Sequence, residues 1–155
     1  MPTDRYFLNI AKAVAEGSKD PSRQIGAVIV NAHGRICATG YNGFAPRICD
    51  DGRLHDRAEK YPNIVHAEMN AILDAGNAVC RGALLYVYGL PPCAECAKLI
   101  VASGIDKVVC ELPEGSNEET LQTWLKSADF TFRHFREAGI KFVANAHFPL
   151  TPETP

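Results

Sequence analysis

Two short stretches of the 155-residue chain carry groups that could do metal chemistry together, His66-Ala67-Glu68 and Pro92-Cys93-Ala94-Glu95-Cys96. They supply an imidazole, two thiols and a carboxylate. Zinc takes nitrogen and thiolate ligands, and one His with two Cys leaves the fourth tetrahedral position open to water, as in a catalytic site. Two thiolates balance the charge of the dication, and zinc lowers the pKa of a water it binds from about 15.7 to about 7. Cys93 and Cys96 are three apart, so one helical turn brings both to the same side. Pro91 and Pro92 precede them, where proline is tolerated at a helix start. A helix N-terminus there favours thiolates through its unpaired N–H groups. Glu68 stands two residues beyond His66, beside the metal without being a ligand, which suits a proton carrier.

The elements that must position these groups can be read from pattern. Residues 3–17 predict a helix capped by Thr3 or Asp4, with Phe7, Leu8, Ile10, Ala11, Val14 and Ala15 on its apolar face. Ile25 to Val30 and Arg35 to Tyr41 predict two strands joined by a turn at 31–34. Gly40 and Gly43 flank Tyr41 and Asn42, a place where backbone could approach a ligand and where the amide offers donor and acceptor. Residues 45–63 form a long charged loop or short helix, and loops of that length in a compact domain are often functional. Ile64 to Gly76 predicts the first motif helix, with Val65, Met69, Ile72 and Leu73 toward the core. A strand at 83–88 leads to the second motif helix, Cys93 to Ser103, and a strand at 105–110 follows. A helix over about 120–138 places Leu121, Trp124, Leu125, Ala128, Phe132 and Phe135 on one side. A last strand covers 140–144, and the tail from 149 predicts disorder. Strands separated by single helices favour parallel neighbours, after an opening antiparallel hairpin. The expected fold is α/β with three αβα layers: a mixed five-stranded sheet with helices on both faces. One domain spans 1–148, and both motifs start helices at one end of the sheet.

Composition narrows the function classes. The chain is 46% hydrophobic and 22% charged, ordinary for a globular protein, and its net charge is -2. That balance disfavours a dedicated nucleic-acid surface. The start is polar and lacks the apolar core of a secretory signal, and no stretch is long and apolar enough to span a membrane. The expected compartment is the cytoplasm, where six cysteines read as ligands and buried thiols rather than disulfides. Cys37, Cys80 and Cys110 are expected to be buried.

H-x-E followed by P-C-x-x-C is the signature of zinc nucleobase deaminases, and the resemblance goes further. Arg23-Gln-Ile-Gly-Ala-Val-Ile-Val30, Gly40-Tyr-Asn-Gly43, Val65-His-Ala-Glu-Met-Asn-Ala-Ile72 and the run from Leu84 to Ile100 resemble the cytidine and deoxycytidylate deaminase family, most of all its deoxycytidylate (dCMP) branch. The likeness extends over roughly residues 3–143. It implies hydrolysis of dCMP to dUMP and ammonia, with dUMP feeding dTMP synthesis. It implies one zinc per subunit held by His66, Cys93 and Cys96. Glu68 would carry protons between water, N3 of the cytosine ring and the departing amine. The expected substrate-binding residues are Asn42 for the sugar 3′-hydroxyl, Ala67 for the pyrimidine carbonyl through its N–H, Arg23 for the phosphate, and Pro92. Arg57 and Lys60 are lesser phosphate candidates. The branch forms homo-oligomers, hexamers among them, and responds to dCTP and dTTP. Some members hold a second, structural zinc; Cys49 and His55 lie in the corresponding loop, without a convincing four-ligand set.

Other readings compete. A nucleoside or free-base deaminase acting on cytidine, deoxycytidine or guanine would use the same metal motif. A tRNA adenosine deaminase would need an extended basic surface. A structural zinc module is the alternative outside enzymes, but such sites are closed by four protein ligands, and the short H-x-E spacing makes Glu68 an awkward fourth.

Overall fold

A computed structural model of the chain describes residues 1–116 and 118–144. The expected disorder of the 149–155 tail lies outside the described residues, as do the side chains of Leu121 and Leu125. The elements run α1 (Asp4–Ala15), β1 (Gly26–Val30), β2 (Ile36–Tyr41), β3 (Gly43–Phe44), a 3₁₀ turn (Gly52–His55), α2 (Arg57–Asn63), β4 (Ile64–Val65), α3 (Ala67–Ala75), α4 (Asn77–Cys80), β5 (Leu84–Tyr88), α5 (Ala94–Ser103), β6 (Lys107–Glu111), α6 (Glu118–Glu137) and β7 (Lys141–Ala144).

The main sheet has five strands in the order β2-β1-β5-β6-β7. β1 pairs antiparallel with both β2 and β5, while β5, β6 and β7 run parallel. The mixed sheet agrees with expectation, but one pairing does not. β2 and β5, joined through α3, run in the same direction yet are not neighbours, because β1 lies between them. Side chains alternate across the strands with period two. Val28, Val30, Tyr86 and Val109 face α1 through Phe7, Leu8 and Ala11. Ala27, Ile29, Leu85, Val87, Val108 and Cys110 face the opposite layer, which holds α3, α5 and Phe135 of α6. With both faces covered, every residue of β1 is buried.

Helix positions are set by backbone contact at two glycines. A Cβ on Gly26 would stand 2.0 Å from the carbonyl oxygen of Ala11, and one on Gly40 would stand 2.4 Å from the Ala71 nitrogen. Gly40 therefore admits α3 rather than a ligand, and Gly43 has open space around its Cβ position. This close approach also corrects the expected core face of α3. Only small side chains fit between helix and sheet, so Ala67 and Ala71 are buried with Ile72, while Leu73 is 72% exposed and Val65 and Met69 are half-buried. The helix begins at Ala67 instead of Ile64. The β-branched pair Ile64–Val65 is extended and pairs with Gly43–Phe44. Cys80 and Cys110 are buried as expected, but Cys37 is exposed on the edge strand β2. All six cysteines are free. Among the described residues no helix is long and apolar enough to cross a membrane.

Candidate active site

His66 and Cys93 occupy equivalent places. Each is the N-cap residue of its helix in extended backbone, with neither side chain used as a cap. Glu68 and Cys96 lie on the first turns of α3 and α5. Both helix N-termini therefore bring unpaired N–H groups and positive dipole ends to one place. The loop before Cys93 is pinned on two sides. Gly89, at φ 119°, ends β5, and a Cβ there would approach the Gln24 carbonyl oxygen to 2.8 Å. Beyond it, Trp124 Nε1 donates to the Pro91 carbonyl at 3.1 Å and Thr131 Oγ1 donates to the Pro92 carbonyl at 3.1 Å. Both donors come from α6 and are buried, Thr131 completely.

The structure brings His66, Cys93 and Cys96 together. Their donor atoms all lie within 4.8 Å of one another, with His66 Nδ1 at 3.5 Å from Cys93 Sγ and 3.4 Å from Cys96 Sγ. A tetrahedral ion with bonds of about 2.3 Å to sulfur and about 2.05 Å to nitrogen needs a sulfur–nitrogen separation of about 3.6 Å. The spacing and the donor set both fit zinc. No other group of three or more such ligands occurs among the described residues, and Cys49 and His55 do not join into one.

Electrostatics in the cluster follow from burial and close contact. The Cys93 thiol is pushed down to about 3, chiefly by donation from Cys96 and then by His66. Cys96 is pushed far up, because its proton is held against Cys93 in a buried setting. His66 is raised, mainly by its hydrogen bond with Cys93. Glu68 is 3% exposed, and burial pushes its carboxyl up to about 6, against the lowering effect of its own main-chain N–H. A carboxyl in that range can both take and give a proton near neutral pH.

A cavity of about 400 Å³ opens beside His66, lined also by Asp20, Arg23, Asn42, Arg57 and Lys60. That volume is within the usual range for small-molecule sites. The sequence-predicted binding residues fare differently in it. Arg23 lines it, half-buried. Asn42 lines it too, but its amide is largely committed: Oδ1 accepts from the Ile25 N–H at 2.8 Å, and Nδ2 donates to the Arg23 carbonyl at 2.9 Å. Its first duty is to hold the 18–25 loop. Ala67 is the first residue of α3, so its N–H has no partner within the helix. Pro92 is buried with its carbonyl taken by Thr131, and Leu90 lines the cavity instead. Arg57 lines the cavity, its Nε donating to the Tyr61 hydroxyl at 2.7 Å. Lys60 is already paired with Asp20. A second cavity, about 510 Å³, opens on another side of Arg23 against Lys12 and Tyr88, and none of the cluster residues line it.

Sequence reasoning missed Thr131 altogether and read Trp124 as core packing only. Two consecutive prolines at 91–92 were the available signal, since a segment without N–H groups can be anchored only through its carbonyls.

Comparison with known proteins agrees with this geometry. Residues 1–112 match the family model described as cytidine and deoxycytidylate deaminase zinc-binding region. The chain is 43% identical over 148 residues to a deoxycytidylate deaminase of Mus musculus, spanning 89% of this chain and 82% of that protein. It is 42% identical over 140 residues to the Homo sapiens deoxycytidylate deaminase, spanning 84% and 78%. In fold it resembles the crystal structure of a cyanophage S-TIM5 dCMP deaminase in complex with dCMP and dUMP, with a TM-score of 0.70 at 20% identity, spanning 94% of this chain and 99% of that one. With most of its length matched, its zinc-ligand spacing intact and its sheet shared, the chain belongs to the cytidine and deoxycytidylate deaminase family.

Proposed function

We propose that this chain is a zinc-dependent hydrolase that converts dCMP and water to dUMP and ammonia. The observation that carries the reading is a buried carboxylate, Glu68, beside a three-donor zinc site that opens onto a cavity bearing two arginines. His66, Cys93 and Cys96 hold the metal, and zinc when bound supplies an acidified water. Glu68 takes one proton from water and delivers it to N3 of the cytosine ring; as the water oxygen bonds to C4, Glu68 takes that oxygen's second proton and gives it to the amine, which leaves C4 as ammonia. The Ala67 N–H orients the ring through its carbonyl. Arg23 and Arg57 face the 5′-phosphate, whose oxygens suit the guanidinium fork.

The same reading takes 1–148 as one deaminase domain of a cytoplasmic homo-oligomer, with dCTP and dTTP as effectors by family resemblance. Similarity to deoxycytidylate deaminases at about 40% identity supports the choice of substrate. The test is Glu68→Ala. It should keep its zinc yet turn over dCMP slower by about a hundred- to ten-thousandfold. Near-full activity in that variant sinks the role assigned to Glu68.

A further inference from the structure

Asp20 lines the cavity together with Arg23, Arg57 and Lys60. A bare carboxylate in that wall would repel an anionic substrate at short range. This one is not bare. Lys60 Nζ donates to Asp20 Oδ1 at 2.9 Å, and both side chains are buried, at 8% and 5% exposure. The same ammonium donates to Ser22 Oγ at 3.1 Å. Asp20 Oδ1 also accepts from the main-chain N–H groups of Ser22 at 2.8 Å and Arg23 at 3.3 Å. Its Oδ2 accepts from Asn42 Nδ2 at 3.4 Å.

The pair ties together two segments that are far apart in sequence. Asp20 folds the 18–25 loop around itself and so fixes the backbone of Arg23. Lys60 belongs to α2, one turn after Arg57. One buried contact therefore sets the spacing of the two arginines, each of which lines both the cavity beside His66 and a neighbouring cavity against Trp124. Neither Asp20 nor Lys60 reaches the metal cluster's donor set.

We propose that the Asp20–Lys60 ion pair is a positioning element for 5′-phosphate recognition. It fixes the gap between Arg23 and Arg57, so that the enzyme selects nucleoside monophosphates over nucleosides. The proposal rests on the dCMP reading above.

The test compares kcat/KM for dCMP and for deoxycytidine in the full chain, in Lys60→Met, and in the double variant Asp20→Asn with Lys60→Met. Zinc content and urea unfolding are measured on each. Removing one partner strands a buried charge, whereas removing both does not; the double variant therefore recovers stability. The expected result is a fall in the dCMP-to-deoxycytidine ratio of at least about tenfold in Lys60→Met, the size of one lost charge-assisted hydrogen bond. The loss should appear mainly in KM for dCMP. The ratio should stay low in the double variant although its stability returns. A ratio that recovers together with stability makes the pair a structural contact only and overturns the proposal, as does a ratio unchanged in both variants. If Lys60→Met fails to fold, the double variant decides alone. A wild-type chain with no preference for dCMP removes the underlying reading, and the proposal with it, before any variant is made.

Discussion

Glu68 should make the metal-stripped protein less stable as pH rises. Its carboxyl is pushed from an ordinary 4.5 up to about 6, with burial as the main cause. A folded-state value above the unfolded one means that the native fold prefers the neutral acid. Relative to an uncharged side chain, nothing is lost below about pH 4.5, where the acid is protonated in both states. Stability falls as pH climbs through 6 and levels off above about 7. The shift is roughly 1.5 units, which at about 1.4 kcal/mol per unit amounts to about 2 kcal/mol. Glu68→Gln removes the ionisation while keeping the shape. In the presence of a chelator, urea unfolding at pH 5 should place the two proteins close together. At pH 8 the Gln variant should be the more stable by about 2 kcal/mol. The same substitution should abolish most turnover in the zinc-loaded enzyme, so one residue trades stability for proton transfer. A Gln variant that is no more stable than wild type at pH 8 refutes the burial-driven cost.

Three further outcomes follow from the framework around the site. Cys93→Ala should lose zinc and much of its stability, because metal binding and folding are coupled; full zinc occupancy by elemental analysis would contradict the ligand assignment. Thr131→Val removes the hydrogen bond to the Pro92 carbonyl 3.1 Å away and should cost about 1–2 kcal/mol. It should also weaken zinc retention in a chelator competition by about tenfold or more, and unchanged retention would leave Thr131 a packing residue. Gly40→Ala drives a Cβ to 2.4 Å from the Ala71 nitrogen, which should destabilise the fold by about 1–3 kcal/mol and loosen His66 through α3. A variant with wild-type unfolding and zinc content would show that α3 can retreat freely.

Much of the site was legible because its chemistry is local. Two motifs, each within five residues, fix ligand type and spacing, and each needs only one helical turn to present its donors. The mixed sheet followed from an opening hairpin and three later apolar runs separated by helical patterns. Less was legible where long-range geometry decides. The Ile64–Val65 extension depends on Gly43–Phe44 as a partner, and β1 lies between β2 and β5, which no local pattern encodes. Leu73 looked like a core residue by periodicity, but the backbone contact at Gly40 leaves room only for alanines on that face. Asn42 looked free to bind a ligand until the 18–25 loop was seen to fold onto it. Lys60 looked like a phosphate ligand because its partner Asp20 is forty residues away in sequence.

The central claim is nucleotide deamination, and the most direct test is to present the zinc-loaded chain with dCMP and deoxycytidine at equal concentration. Ammonia release and the ultraviolet change from cytosine to uracil are followed together. The account predicts dUMP and ammonia in equal amounts from dCMP, with deoxycytidine turned over far more slowly. Equal turnover of the two substrates would contradict phosphate recognition at Arg23 and Arg57. No turnover of either would contradict the assignment of this site to cytosine.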